Sequence, residues 1–133
     1  SKRFCDNFYR LSPNLQKRLV VENDDKDSCY SVEQLREFIT DNIGTPITFD
    51  YFHHSFHSQE IPERIAAILA AETWGTERPL FHYSDSKKVY EGFSGNPRAH
   101  ADYVYNKISE HVECDIDLEA KAKELALLKY LSL

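Results

Sequence analysis

The amino-acid sequence predicts an α/β fold of four βα units, either TIM-barrel-like, as half of a (β/α)8 barrel, or a small doubly wound sheet. Two observations predict it. Short runs of β-branched and aromatic residues alternate along the chain with segments of helical periodicity, which is the repeat of a parallel sheet with crossover helices. The chain has 133 residues, whereas a complete barrel takes about 250, so half is the share it can supply. A small doubly wound sheet fits the same alternation. Neither a GxGxxG fingerprint nor a Walker-type phosphate loop is present, which weakens nucleotide binding as an explanation.

The elements can be justified in order. "RLVVE" (18–22) is a short apolar run that ends in charge. "SVEQLREFITDN" (31–42) begins at Ser31, carries Glu33 and Gln34 in its first turn, and spaces Val32, Leu35, Phe38 and Ile39 along one helix face. Gly44, Thr45 and Pro46 stop it. "ITFD" (47–50) is the second strand. "IPERIAAILAAETW" (61–74) is the second helix, with Pro62 near its first turn. "PLFHYS" (79–84) is the third strand, and a loop containing Gly and Pro (91–98) leads into a third helix over "AHADYVYNKISEHV" (99–112). "CDIDLE" (114–119) alternates like a strand, and "AKAKELALLKYL" (120–131) consists of strong helix formers.

Length allows a single domain, 1–133, and the 41% hydrophobic and 29% charged residues place it among ordinary globular proteins. No apolar run approaches the roughly 20 residues that span a bilayer, and no signal peptide is visible. Cys5, Cys29 and Cys114 are odd in number and lack CxxC spacing, which argues against a disulfide framework and a zinc ribbon. An intracellular, reducing setting is therefore expected: cytoplasmic, or nuclear in a eukaryote. The chain has no Met, even at position 1, so a processed chain or a piece of a longer one is expected. A net charge of −6 does not advertise a nucleic-acid binder, but the charge is uneven. Lys2, Arg3, Arg10, Lys17 and Arg18 face only Asp6 in the first 18 residues, while Glu22, Asp24, Asp25 and Asp27 crowd the next stretch. Acidic clusters of that kind are solvated loops or places where cations sit.

Ligand-type residues fall at equivalent places. Glu22 ends the first strand, Asp50 and His53 the second, and His82 the third. His100 begins the predicted third helix, and Glu119 ends the fourth strand. Sites in parallel α/β folds gather at the carboxyl ends of strands, and carboxylate with imidazole is a ligand set for divalent transition metals. For "DYFHH" (50–54) the plainer reading is a turn in which Asp50 caps the next segment and the histidines are surface polarity. His57 and His111 lack a strand-tip position and read as solvent-facing. Tyr30, Tyr83, Phe93, Tyr103 and Tyr105 could stack on bases but read as core. Lys121 and Lys123 read as solvated, although they could neutralise phosphate.

These motifs resemble the UV damage endonucleases of the UvdE type, metal-dependent DNA repair enzymes with a TIM-barrel fold. The matching stretches are "RLVVENDD" (18–25), "DYFHH" (50–54), "FHYSD" (81–85), "AHADYV" (99–104) and "DIDLEAKAKELAL" (115–127), in the family's order. The resemblance implies the C-terminal half of the family barrel, with Glu22, Asp50, His53, His82, His100 and Glu119 as metal ligands. It implies a cluster of Mn²⁺ ions and nicking on the 5′ side of UV photoproducts in double-stranded DNA. Three departures stand out. The family's N-terminal half is absent, Leu80 stands where a lysine is common, and Asp117 stands where an apolar residue is usual. The first puts stand-alone activity in question, the second touches one metal position, and the third is expected to lower core stability.

The chemistry also follows from the residues. Phosphodiester hydrolysis needs a nucleophile at neutral pH and charge stabilisation of the attacking and leaving oxygens, which clustered divalent ions provide. Mixed Asp, Glu and His ligands suit Mn²⁺ or Zn²⁺ better than Mg²⁺. Glu22, Asp50, His82 and Glu119 are assigned the deeper, catalytic positions, with His53 and His100 as outer ligands. The rivals are a metal-dependent sugar isomerase or epimerase of the same barrel type, and a non-catalytic half-barrel that binds DNA or a partner. Two open sheet edges predict a homodimer or a complementing N-terminal half.

Overall fold

A computed structural model describes residues 1–133. Four parallel strands lie in chain order: β1 (Val21–Glu22), β2 (Ile47–Thr48), β3 (Leu80–Tyr83) and β4 (Asp115–Leu118). β1 pairs with β2, aligning Glu22 with Thr48, and β3 pairs with β4, aligning His82 with Asp117. A single parallel bridge, Asp50 to His82, joins the two pairs, and the His82 N–H donates to the Phe49 carbonyl at 2.9 Å.

Strand geometry sends alternate residues to opposite faces. One face carries Val21, Ile47, Phe49, Phe81, Tyr83, Ile116 and Leu118, which form or line the main core with Val32, Leu35, Ile39, Ala66, Ala67 and Ala70 from the helices. Phe49 and Phe81 are fully buried there, each contributing roughly 2–3 kcal/mol of apolar burial. The other face carries Glu22, Thr48, Asp50, His82, Asp117 and Glu119. Asp117 is exposed on that second face, so the core cost expected of it does not arise.

The first crossover helix is α3 (Val32–Leu35), which runs through a π-helical turn (Arg36–Thr40) into α4 (Asp41–Ile43). Its start is the predicted capping box: the Gln34 N–H donates to Ser31 Oγ, and the Ser31 N–H donates to Gln34 Oε1. It ends at Gly44, whose φ of 71° is the left-handed conformation that glycine adopts at little cost. The second crossover helix, α6 (Glu63–Glu72), is shorter than predicted at both ends, with Pro62 as its N-cap. Beyond its C-terminus, Thr73 Oγ1 accepts the Ile47 N–H at 2.8 Å and the Trp74 indole N–H donates to the Ile47 carbonyl at 2.7 Å. Two side chains thus satisfy the backbone at the start of β2.

Several elements differ from the sequence expectations. Helices α1 (Lys2–Phe8) and α2 (Pro13–Gln16) precede β1, and α5 (Tyr51–Phe56) occupies the stretch read as a turn. His53 therefore lies on a helix, not on a loop. The helix predicted over 99–112 does not form, so His100 begins no helix. Asp85 explains the difference: its carboxylate accepts the Tyr105 N–H and the Tyr83 hydroxyl, and its carbonyl accepts the Ala101 N–H. Those bonds hold a run of aromatic and β-branched residues in an irregular path, and Ser86 bridges to His100. The only helix between β3 and β4 is the short α7 (Lys87–Tyr90). The last helix, α8 (Glu124–Leu131), starts four residues later than predicted, after Lys123 at φ 55°.

Candidate metal centre

Each strand ends by delivering one ligand-type side chain to the same place. A ligand atom from each of Glu22, Asp50, His82 and Glu119 lies within 4.8 Å of the others. The arrangement follows from strand order. Glu22 is the last residue of β1, Asp50 sits two residues past β2 on the same face as Thr48, His82 is inside β3, and Glu119 directly follows β4. Parallel strands in register bring such residues together at one end of the sheet.

Asp50 is fully buried. Its Oδ1 accepts the His53 N–H at 2.8 Å and so caps α5. The cap and the ligand-type roles therefore share one carboxylate, with one oxygen for each. Oδ2 has no hydrogen-bond partner. Burial, reinforced by the charges of Glu22 and Glu119, pushes the Asp50 carboxyl up to about 6, against the pull of the His53 N–H and imidazole. A buried carboxylate oxygen without a partner, held among two other carboxylates and an imidazole, is what a divalent cation would satisfy.

His82 Nδ1 lies 3.1 Å from Glu22 Oε1 and 3.4 Å from Glu119 Oε1. The hydrogen bond with Glu22, and then the charges of Glu22, Glu119 and Asp50, raise the His82 imidazole above its ordinary value despite burial. Burial alone would raise Glu22, but its hydrogen bond to His82 and the attraction of His82 and His53 bring it below the usual carboxylate range.

The two remaining predicted ligands flank this group. His53 Nδ1 lies 3.4 Å from Glu22 Oε1 and 3.8 Å from Asp50 Oδ2, but its hydrogen bond goes to the Asn23 carbonyl at 2.8 Å. His100 Nδ1 is bonded to the Glu119 carbonyl at 3.1 Å and lies 3.7 Å from Glu119 Oε2. Both rings thus commit one nitrogen to a backbone carbonyl, which leaves Nε2 available as a ligand. Their centroids are 6.3 Å apart.

The other histidines do not join the group. His57, expected in solvent, is buried with Nδ1 unpartnered. His54 is also buried and donates from Nε2 to the Ile61 carbonyl at 2.8 Å. His111 pairs with Glu63 at 2.8 Å and stacks on Tyr51. Lys121 and Lys123 line a cavity of about 420 Å³ with His100, Asp117 and Glu119. Asn23 was not read as functional from sequence: it follows the strand-end carboxylate in "VENDD", but its burial and its pairing with Asp50 are set by the fold.

Comparison with known proteins gives concordant matches. A family model described as UV-endonuclease UvdE matches residues 1–133. A protein named UV DNA damage endonuclease from Bacillus anthracis (strain A0248) is 34% identical over 98% of this chain and 42% of its own length. Its namesake from Bacillus cereus (strain Q1) has the same identity and coverage. The crystal structure of SacUVDE superposes with a TM-score of 0.83 at 34% identity, over 98% of this chain and 44% of that one. The chain spans about two fifths of the length of these relatives. The TIM-barrel-like α/β fold implied by the βα repeat together with the family resemblance is the fold found.

Proposed function

This chain belongs to the UV-endonuclease UvdE family, and on that premise we propose that it forms the metal-binding share of a DNA repair endonuclease. The proposed activity nicks double-stranded DNA on the 5′ side of UV photoproducts, with Mn²⁺ as the favoured metal and Zn²⁺ also suited to the donor set. The observation that carries this reading is the convergence of Glu22, Asp50, His82 and Glu119 around the unpartnered Asp50 Oδ2.

Glu22, Asp50, His82 and Glu119 would hold the metal, with His53 and His100 as outer ligands through Nε2. When bound, divalent ions supply an activated water and neutralise charge on the phosphate that is cleaved. The residues present explain why cations are needed. Three carboxylates gathered at one end of the sheet would repel a phosphodiester, and a bound cation reverses that local field. Burial and the α5 cap hold Asp50 in one orientation, so the centre needs little reorganisation when substrate arrives.

The chain leaves β1 and β4 with unpaired edges, and Val20 and Leu80 are exposed apolar residues. We therefore place the activity in an assembly that covers those edges, either a complementing half-barrel or a second copy. No helix is long and apolar enough to cross a membrane; an intracellular setting follows from the proposed DNA substrate.

The test is a nicking assay on UV-irradiated duplex DNA with the complementing half supplied and Mn²⁺ present. Mn²⁺-dependent incision 5′ to the lesion is the expected result, with weak or absent nicking by the chain alone. Intact irradiated duplex under those conditions would show the reading to be wrong.

A further inference from the structure

The regular β1–β2 ladder stops at Glu22 and Thr48, yet the two strands remain tied beyond that point. Asn23, 1% exposed, takes over with its side chain. Its Oδ1 accepts the Asp50 N–H at 2.8 Å, and its Nδ2 donates to the Asp50 carbonyl at 3.0 Å. A primary amide offers a donor and an acceptor side by side, as a backbone peptide does, so Asn23 supplies the missing rung. Because the side chain makes that rung, Asn23's own carbonyl is free to turn toward α5, where it accepts from His53 Nδ1.

His53 Nδ1 makes its hydrogen bond to the Asn23 carbonyl at 2.8 Å, and the next polar atoms around it, Glu22 Oε1 at 3.4 Å and Asp50 Oδ2 at 3.8 Å, are acceptors too. The proton of the neutral ring therefore sits on Nδ1, and the lone pair on Nε2. One residue thus touches both ligand-type residues of "DYFHH", the first at its backbone and the second at its ring.

Resting on the metal-site reading above, we propose that Asn23 is a positioning residue: its amide fixes the backbone of Asp50 and its carbonyl sets the tautomer of His53, aiming both at the metal. Asn23 touches neither metal nor substrate. Asp in its place would lose the donor to Asp50, and Gln would carry the amide one methylene too far.

Two measurements test this. The first is ¹⁵N NMR of the His53 ring in the unsubstituted, metal-free protein at alkaline pH. The Nδ1–H tautomer is expected, and a predominant Nε2–H tautomer overturns the proposal whether or not any variant folds. The second is calorimetric titration of Mn²⁺ and Zn²⁺ into the parent and Asn23→Ala proteins. Affinity should fall about 10- to 100-fold in the variant, the range for groups that orient metal ligands, with a mixed His53 tautomer. A folded Asn23→Ala protein with parental affinity overturns it. A parent that shows the Nδ1–H tautomer but takes up no metal supports the hydrogen-bond arm and overturns the metal reading instead.

Discussion

Asp50 and His82 form the one parallel bridge that joins the two halves of the sheet, and each also contributes a ligand atom to the same four-residue group. The seam of the fold and the candidate metal centre therefore share two residues. Opposed effects of Asp50→Asn follow. The variant keeps an oxygen for the α5 cap and removes a fully buried charge whose carboxyl is already pushed up to about 6. Metal-free, it should be no less stable than the parent at pH 7.5, and more stable by up to about 1–3 kcal/mol. Its stabilisation by Mn²⁺ should vanish. Thermal melts with and without metal check both signs.

The same carboxylate sets a pH dependence. Its folded value of about 6 is above the ordinary 3.8, so the metal-free fold binds this proton more tightly than the unfolded chain. That contribution is present below about pH 4 and is lost as pH rises through about 6. A metal competes with the proton, so its stabilising effect must run the other way. The difference in Tm with and without Mn²⁺ should be small at pH 5 and grow by pH 7.5. A difference that shrinks over this range would contradict Asp50 as a ligand.

If the proposed endonuclease reading holds, Glu119→Gln should separate cleavage from binding in the proposed assembly. The substitution removes one negative ligand while keeping the side chain's shape. Incision of irradiated duplex should fall at least about 100-fold, beyond the range seen for groups that only orient ligands. DNA affinity in a gel-shift measurement should change little, because most of the contacts that hold a protein on duplex DNA are spread along phosphates and sugars and do not depend on one carboxylate.

Assembly is open to direct measurement. β1 and β4 each present an unpaired edge, and α8 exposes Leu125, Leu128 and Leu131. Such surface drives association, so sedimentation at micromolar concentration should show a dimer, or a heterodimer when the complementing half is added. A monodisperse monomer in both experiments would count against it.

The βα order, the capping box at Ser31 and the Gly44 stop were all legible, because periodicity and caps are local signals. The strand-tip positions of Glu22, Asp50, His82 and Glu119 were legible for the same reason: each follows an apolar run. What sequence could not show was set by tertiary partners. "YFHHSF" has few strong helix formers, yet α5 forms because Asp50 caps it and Tyr51 and Phe52 are buried. "AHADYVYNKISEHV" has helical spacing, yet the Asp85 carboxylate draws its backbone elsewhere. The role of Asn23 depends on Asp50, 27 residues away, and no local pattern encodes that pairing.

The contacts of Trp74 with the start of β2 also give the molecule an optical property. Trp74 is the chain's one tryptophan, and its indole hydrogen-bonds to Ile47, at the end of β2 opposite Asp50. Its fluorescence therefore reports the base of the sheet, not the ligands. Zn²⁺ is not a paramagnetic quencher, so an emission change on adding it would mean that order imposed at the strand tips had travelled down β2. The chain carries its own remote gauge of whether filling the centre tightens the whole strand.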